Sequence, residues 1–145
     1  MNIDAVELAK YIIDKCTKEE RPISNLQLQK MLYFLFMDVY KKYKQFLFKN
    51  RIEAWAYGPV IPDVYKIYSD NGRFKIFKEY DDIKLPIEPQ IMNFIDEKIV
   101  YMRSIPAWNL VEKSHKEGTP WEKVYKQGCK IEISKNDIKA SVGND

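Results

Sequence analysis

The chain has 145 residues, 46% hydrophobic, 31% charged and 14% aromatic, a length and composition that suit one globular domain with a real core and argue against disorder. Lys and Arg total 24 against 21 Asp and Glu, and a net +3 over a whole domain does not announce a nucleic-acid binder. No apolar run approaches a membrane span, no signal-peptide pattern opens the chain, and Cys16 and Cys129 lie outside any CxxC spacing. These features predict a soluble cytoplasmic protein with two reduced, mostly buried thiols.

The first predicted element is a helix in DAVELAKYIIDKCTKEE, opened by a capping box in which Asp4 accepts from the backbone near Glu7 and Glu7 reaches back. Val6, Ala9, Ile13 and Cys16 fall on one stripe at helical spacing, and Pro22 ends any continuation. A second start signal follows at once: Ser24 as N-cap, Gln27 three residues on, and Ile23 placed to staple onto Leu28. Leu28, Leu32, Leu35 and Val39 form one face, while Met31, Tyr33, Phe34, Phe36, Met37 and Tyr40 cover the others. A helix apolar nearly all round is a central helix wrapped by neighbours; a stripe for a membrane or partner is the rival reading.

The run KKYKQFLFKNR (41–51) contains no acid. Lys41, Lys42, Lys44, Lys49 and Arg51, with Tyr43, Phe46 and Phe48 interleaved, could track phosphates and stack on bases. The plainer reading is the solvated C-terminus of a helix, where the dipole favours Lys. Next, RIEAWAYG alternates as a short strand ended by Gly58-Pro59, with FLFKN as a pairing strand and Lys49-Asn50 in the turn. Pro62 starts a short helix carrying Val64, Tyr65 and Tyr68, closed by Asn71-Gly72. RFKIF alternates weakly as a strand, and the residues beyond it to Leu85 read as loop. Pro89 opens a helix on which Ile91, Ile95, Ile99 and Met102 align, and SIPAWNLVEKSH reads as another. TPWEKVYKQG is a further capping box, with Thr119 as N-cap, Pro120 at N1, Glu122 at N3 and Gly128 past the end. Ile131 and Ile133 suggest a strand, SKND starts a last helical turn, and residues 141–145 form a frayed tail. The predicted fold is mainly α (α+β): a single domain over residues 1–145, built as a compact bundle around one long buried helix with a small β element.

Catalytic and metal signals are poor. His115 is the sole histidine, and Ser114 beside it on a helix does not face it. No acid, Cys or Gly spacing specifies a metal site or a phosphate loop, so no cofactor and no enzymatic activity are expected. His115 ends one helix just before the N-cap of the next; its expected role is a hydrogen bond to loop backbone, the alternative a pH-sensitive partner contact.

Three blocks in order, ISNLQLQKMLYF (23–34), EAWAYGPVIPDVY (53–65) and SHKEGTPW (114–121), resemble the Panacea domain family of SocA-like antitoxins and GepA-type phage-associated proteins. The resemblance covers nearly the whole chain, and its middle block is the specific one. Gln27 stands where the family pattern has Lys, and Ser114 where it has Thr; both departures would touch partner choice rather than fold. The resemblance implies an antitoxin of a toxin–antitoxin system, a binding module without catalysis that contacts a co-encoded protein toxin. One relative resembles an adaptor that hands its toxin to a ClpXP-type protease.

The alternation in the middle block puts Ala54 and Ala56 on one side, to pack on the central helix, and Trp55 and Tyr57 on the other, a face that is either a surface for a partner or a corner of the core. Gly58, Pro59 and Pro62 would hold that face rigid, lowering the entropic cost of binding. The candidate partner-binding residues are therefore Trp55, Tyr57, Gly58, Pro59, Val60, Pro62 and Tyr65, with His115 and Trp121 from the third block. The alternative, a nucleic-acid-binding regulator of phage or toxin–antitoxin genes, rests on Lys41, Lys42, Lys44, Lys49 and Arg51.

Overall fold

The longest helix, α2 (Asn25–Tyr43), begins where its capping box predicts: Ser24 Oγ accepts from the Gln27 N–H, and Gln27 Oε1 accepts from the Ser24 N–H. Its apolar surface is buried on every side, with Leu28, Met31, Leu32, Leu35 and Val39 fully enclosed and Tyr33, Phe34 and Phe36 nearly so. Each such side chain contributes about 1.5–3 kcal/mol through burial. The helix ends at Lys44, which adopts the left-handed conformation at φ 56°.

The computed structural model describes residues 3–143, and α2 is its centre. Around it pack α1 (Ala5–Lys18), α3 (Pro62–Tyr68), α4 (Pro89–Met102) and α5 (Ala107–His115), with α6 (Pro120–Val124) and α7 (Lys135–Val142) following in the chain. Strands β1 (Ile23–Ser24) and β4 (Lys75–Ile76) pair antiparallel, and β2 (Glu53–Trp55) lies between β3 (Gly58–Val60) and β5 (Ile131–Glu132) in a second antiparallel sheet. The mainly α architecture around a buried helix is as predicted, and the α4 stripe of Ile91, Ile95, Ile99 and Met102 is buried.

Helix α1 buries Ala5, Leu8, Ala9, Ile12, Ile13 and Cys16, whereas Val6 is half-buried at the edge of the stripe. Its cap differs from the predicted box: Asp4 accepts from the Val6 N–H, and Glu7 turns outward to pair with Lys10 at 2.8 Å. Glu7, Asp14 and Thr17 accept from the N–H groups of Lys84, Tyr80 and Lys78, so the polar face of α1 holds down the loop before α4. Tyr11 donates to Asp96 at 2.5 Å and Arg103 pairs with Glu19 at 2.6 Å, tying α1 to α4.

Four expectations are corrected. Gly58-Pro59 does not end the strand but starts β3, the return arm of a hairpin that turns at Ala56-Tyr57. The partner of β2 is therefore not FLFKN; Phe48 instead makes one parallel bridge to Ile3, and Asn50 accepts from the Ala5 N–H. Cys129 is exposed, on the segment between α6 and β5. Ser141 and Val142 are helical because a full capping box between Ser134 and Asp137 opens α7; of the predicted frayed tail, residues 144–145 lie outside those described.

Candidate functional site

The hairpin is fixed to α2 by a chain of polar side chains on an otherwise apolar helix. Lys30 Nζ donates to the Pro59 carbonyl at 2.8 Å, and Gln29 Oε1 accepts from the Ile61 N–H at 2.8 Å. Gln29 Nε2 donates to Asn25 Oδ1, and Asn25 Nδ2 donates to the Tyr65 carbonyl at the start of the next turn. These bonds satisfy backbone groups on β3 and its exit that lack a strand neighbour on that side. Gly58 sits at φ 107°, and a Cβ there would lie 2.6 Å from Lys30 Cε and 2.7 Å from Ser114 Oγ. Glycine is required at this position by both conformation and space.

Lys30 is fully buried and, among the described residues, pairs with no carboxylate; burial alone pulls its pKa down to about 7. The pKa of His115 is also lowered, first by burial and then by the positive charge of Lys30. Ser114, buried, donates to the Val111 carbonyl at 2.7 Å and packs against Gly58.

The outer face of the hairpin is aromatic. Trp55 is half-buried, its indole N–H donating to Glu53 at 2.9 Å, its ring edge-on to Tyr65 at 4.9 Å and under Lys130 Nζ at 4.1 Å. Tyr57 at the turn is 61% exposed and meets the equally exposed Trp108 of α5 edge-to-face at 5.6 Å. Ala56, expected on the inner side, is exposed because the strand has already turned; Ala54 alone packs inward. Between Trp55, Tyr57, Tyr65 and Tyr125 opens a cleft of about 560 Å³, with Asn25, Gln29 and Lys30 at its base. Its size is that of sites that enclose a small ligand or a few side chains.

The third block buttresses this cleft from behind. Trp121 Nε1 donates to the Trp55 carbonyl at 2.7 Å, and the ring of Trp121 is sandwiched between His115 (3.6 Å) and Tyr125 (4.6 Å) in near-parallel stacks. His115 Nε2 is buried without a hydrogen-bond partner, so the expected bond from that atom to loop backbone is replaced by stacking. Thr119 caps α6 by accepting from Glu122 N, while Glu122 reaches Gly118 N rather than the cap.

Of the predicted partner-binding residues, Trp55, Tyr57, Val60 and Tyr65 line the cleft. Gly58 and Pro59 are buried behind it and shape it; Pro62 opens α3; His115 and Trp121 support it. Gln27 and Ser114, the two departures from the family pattern, are both buried, so neither reaches a partner directly. Sequence reasoning missed Asn25, Gln29 and Lys30, although polar residues at i and i+4 on an all-apolar helix were a signal. It also missed Trp108, Tyr125 and Lys130, which only the tertiary fold brings to the cleft.

The basic run does not form one aromatic-lined surface. Phe48 is buried, Phe46 is half-buried and stacked on Tyr40 and Phe36, and Arg51 pairs with Glu53 and Glu132. Lys42 lies over Phe94 and Lys44 over Tyr40, while Lys41 and Lys49 are exposed elsewhere. Among the described residues no helix is long and apolar enough to cross a membrane, and no group of three or more His, Cys, Asp or Glu could hold a metal ion.

No solved structure matches the chain. It is 32% identical over 131 residues to "Antitoxin SocA" of Caulobacter vibrioides (strain NA1000 / CB15N), covering 83% of this chain and 70% of that protein. Residues 28–122 match the family model described as "Antitoxin SocA-like, Panacea domain". That span takes in α2 from Leu28 onward, the hairpin and Trp121, while Asn25, Leu26, Tyr125, Gly128, Cys129 and Lys130 of the cleft lining lie outside it. The chain therefore belongs to the SocA-like antitoxin, Panacea domain family.

Proposed function

We propose that this protein is an antitoxin that neutralises a co-encoded protein toxin by direct contact, and that the aromatic cleft is the contact surface. The observation that carries this reading is the position of Tyr57 and Trp55. They stand on a hairpin fixed by Lys30 and Gln29 and buttressed by Trp121, over a cleft of about 560 Å³. A rigid aromatic face loses little entropy on binding, and a few such anchors dominate most interfaces. The protein acts in the cytoplasm and by binding rather than catalysis. Contact of this kind serves two outcomes, occlusion of the toxin and its presentation to a ClpXP-type protease. The nucleic-acid alternative receives less support, since Phe48 is buried, Phe46 is half-buried in stacks with Tyr40 and Phe36, and Arg51 is paired with two glutamates.

The test is a growth assay in which the product of the adjacent gene is induced with and without this protein. Arrest relieved by the protein supports the reading; a harmless neighbour, or arrest regardless, removes it. Repeating the assay in cells lacking the protease separates delivery from occlusion, because only delivery then fails.

A further inference from the structure

The residues around the cleft have a charge balance unlike that of the whole chain. Among the described residues, its sixteen lining residues include three basic side chains, the exposed Arg73 and Lys130 and the buried Lys30, and no carboxylate, against 24 basic and 21 acidic residues overall. Glu53 is outside the lining, its two carboxylate oxygens engaged by Arg51 and by Trp55 Nε1. Arg73 and Lys130 are exposed and come from separate segments, after α3 and before β5. The same lining contains Trp55, Tyr65 and Tyr125, with Lys130 Nζ over the Trp55 ring at 4.1 Å. The backbone of β3 is already taken by Lys30 and by β2, so a ligand is read here by side-chain pockets rather than by strand addition.

Resting on the antitoxin reading above, we infer that the cleft receives an acidic segment of the toxin carrying an aromatic anchor. The anchor ring packs among Trp55, Tyr65 and Tyr125, and flanking carboxylates face Arg73 and Lys130. Complementary charge at such a rim selects partners and speeds encounter, and the aromatic side chains around the cleft supply most of the affinity. Single-stranded nucleic acid also combines negative charge with rings, but it engages a track of cations along its backbone. Here two exposed basic side chains flank a single cleft of about 560 Å³, which suits one short peptide segment.

The experiment uses the full chain and three synthetic twelve-residue peptides, with binding followed by fluorescence anisotropy of a terminal dye. One peptide carries a central Trp flanked by Asp and Glu, the second replaces those acids with Lys, and the third keeps the acids and replaces Trp with Ala. A labelled twelve-nucleotide oligo-dT is run beside them. The acid-flanked Trp peptide is expected to bind at least about tenfold more tightly than either control, roughly 1.4 kcal/mol. In the Arg73→Glu/Lys130→Glu variant the preference is expected to reverse toward the Lys-flanked peptide, with a cooperative thermal transition retained although the Lys130–Trp55 contact is lost. Equal binding of the acidic and basic Trp peptides, binding of none, or oligo-dT binding more tightly than all three would overturn the inference. Full-length toxin then separates the two levels. Undiminished binding by the doubly reversed variant sinks the acidic segment and leaves the antitoxin reading intact, whereas a neighbouring gene product that never binds the wild type sinks that reading itself.

Discussion

Replacing Lys30 by Met is expected to stabilise the protein at neutral pH, although Lys30 makes one of the bonds that hold the hairpin. The ammonium is fully enclosed and, among the described residues, has no carboxylate partner and donates to one carbonyl, that of Pro59. Burial lowers its pKa from 10.5 to about 7. The unfolded chain therefore binds a proton that the folded chain gives up, between about pH 7 and the ordinary lysine value. In that window stability rises with pH, and below it the full penalty applies. A fall of that size corresponds to on the order of 5 kcal/mol at acidic pH. Met keeps the stem volume but leaves the Pro59 carbonyl unpaired, at a cost of about 1–3 kcal/mol. The net gain near pH 6 is then roughly 2–4 kcal/mol, shrinking with pH and changing sign by roughly pH 9. Urea denaturation of both proteins from pH 6 to 9.5 measures this directly. A variant less stable than wild type at pH 6, or a difference that does not vary with pH, would refute the reasoning.

Other changes follow from the same geometry. Gly58→Ala combines a left-handed φ of 107° with contacts of 2.6 and 2.7 Å, and is expected to cost about 2 kcal/mol or more, lowering Tm by at least about 4 °C in a calorimetric scan. Trp121→Phe keeps the stack with His115 and Tyr125 but leaves the Trp55 carbonyl without its indole donor. Its cost should be about 1–2 kcal/mol in denaturant melts, with Trp55 becoming more accessible to a fluorescence quencher. Tyr57→Ala, at a 61% exposed turn residue, is expected to change stability by no more than about 0.5 kcal/mol. Trp55→Ala removes a hydrogen bond, an edge-to-face contact and part of the hairpin's packing, so it should lower both Tm and binding.

Much of the fold is legible in sequence because its signals are local. Ser24 with Gln27, Thr119 with Pro120, and the stripe Ile91-Ile95-Ile99-Met102 act within a few residues, and the structure carries each of them. The hairpin was harder. Its turn, Ala56-Tyr57, has none of the Asn, Asp or Gly that mark a tight turn, and the glycine that follows is there for space against Lys30 and Ser114. β3 is three residues long, and it and its exit are bonded by Lys30 and Gln29 of α2, far upstream in the chain. Alternation did place Tyr57 outward, but it could not say that Ala56 would follow it into the turn. The cleft is the least legible feature, since Trp55, Arg73, Tyr125 and Lys130 meet only when α3, the hairpin and the segment after α6 converge.

Isothermal titration of the purified adjacent gene product into wild-type and Tyr57→Ala protein is the sharpest test of the proposal that Tyr57 and the cleft beside it bind the toxin. A loss of at least about thirtyfold in affinity is expected, the scale of an interface hot spot, with an unchanged thermal transition. Wild-type affinity in the Tyr57→Ala/Tyr65→Ala double variant, still cooperatively folded, would place the interface on another face and contradict it.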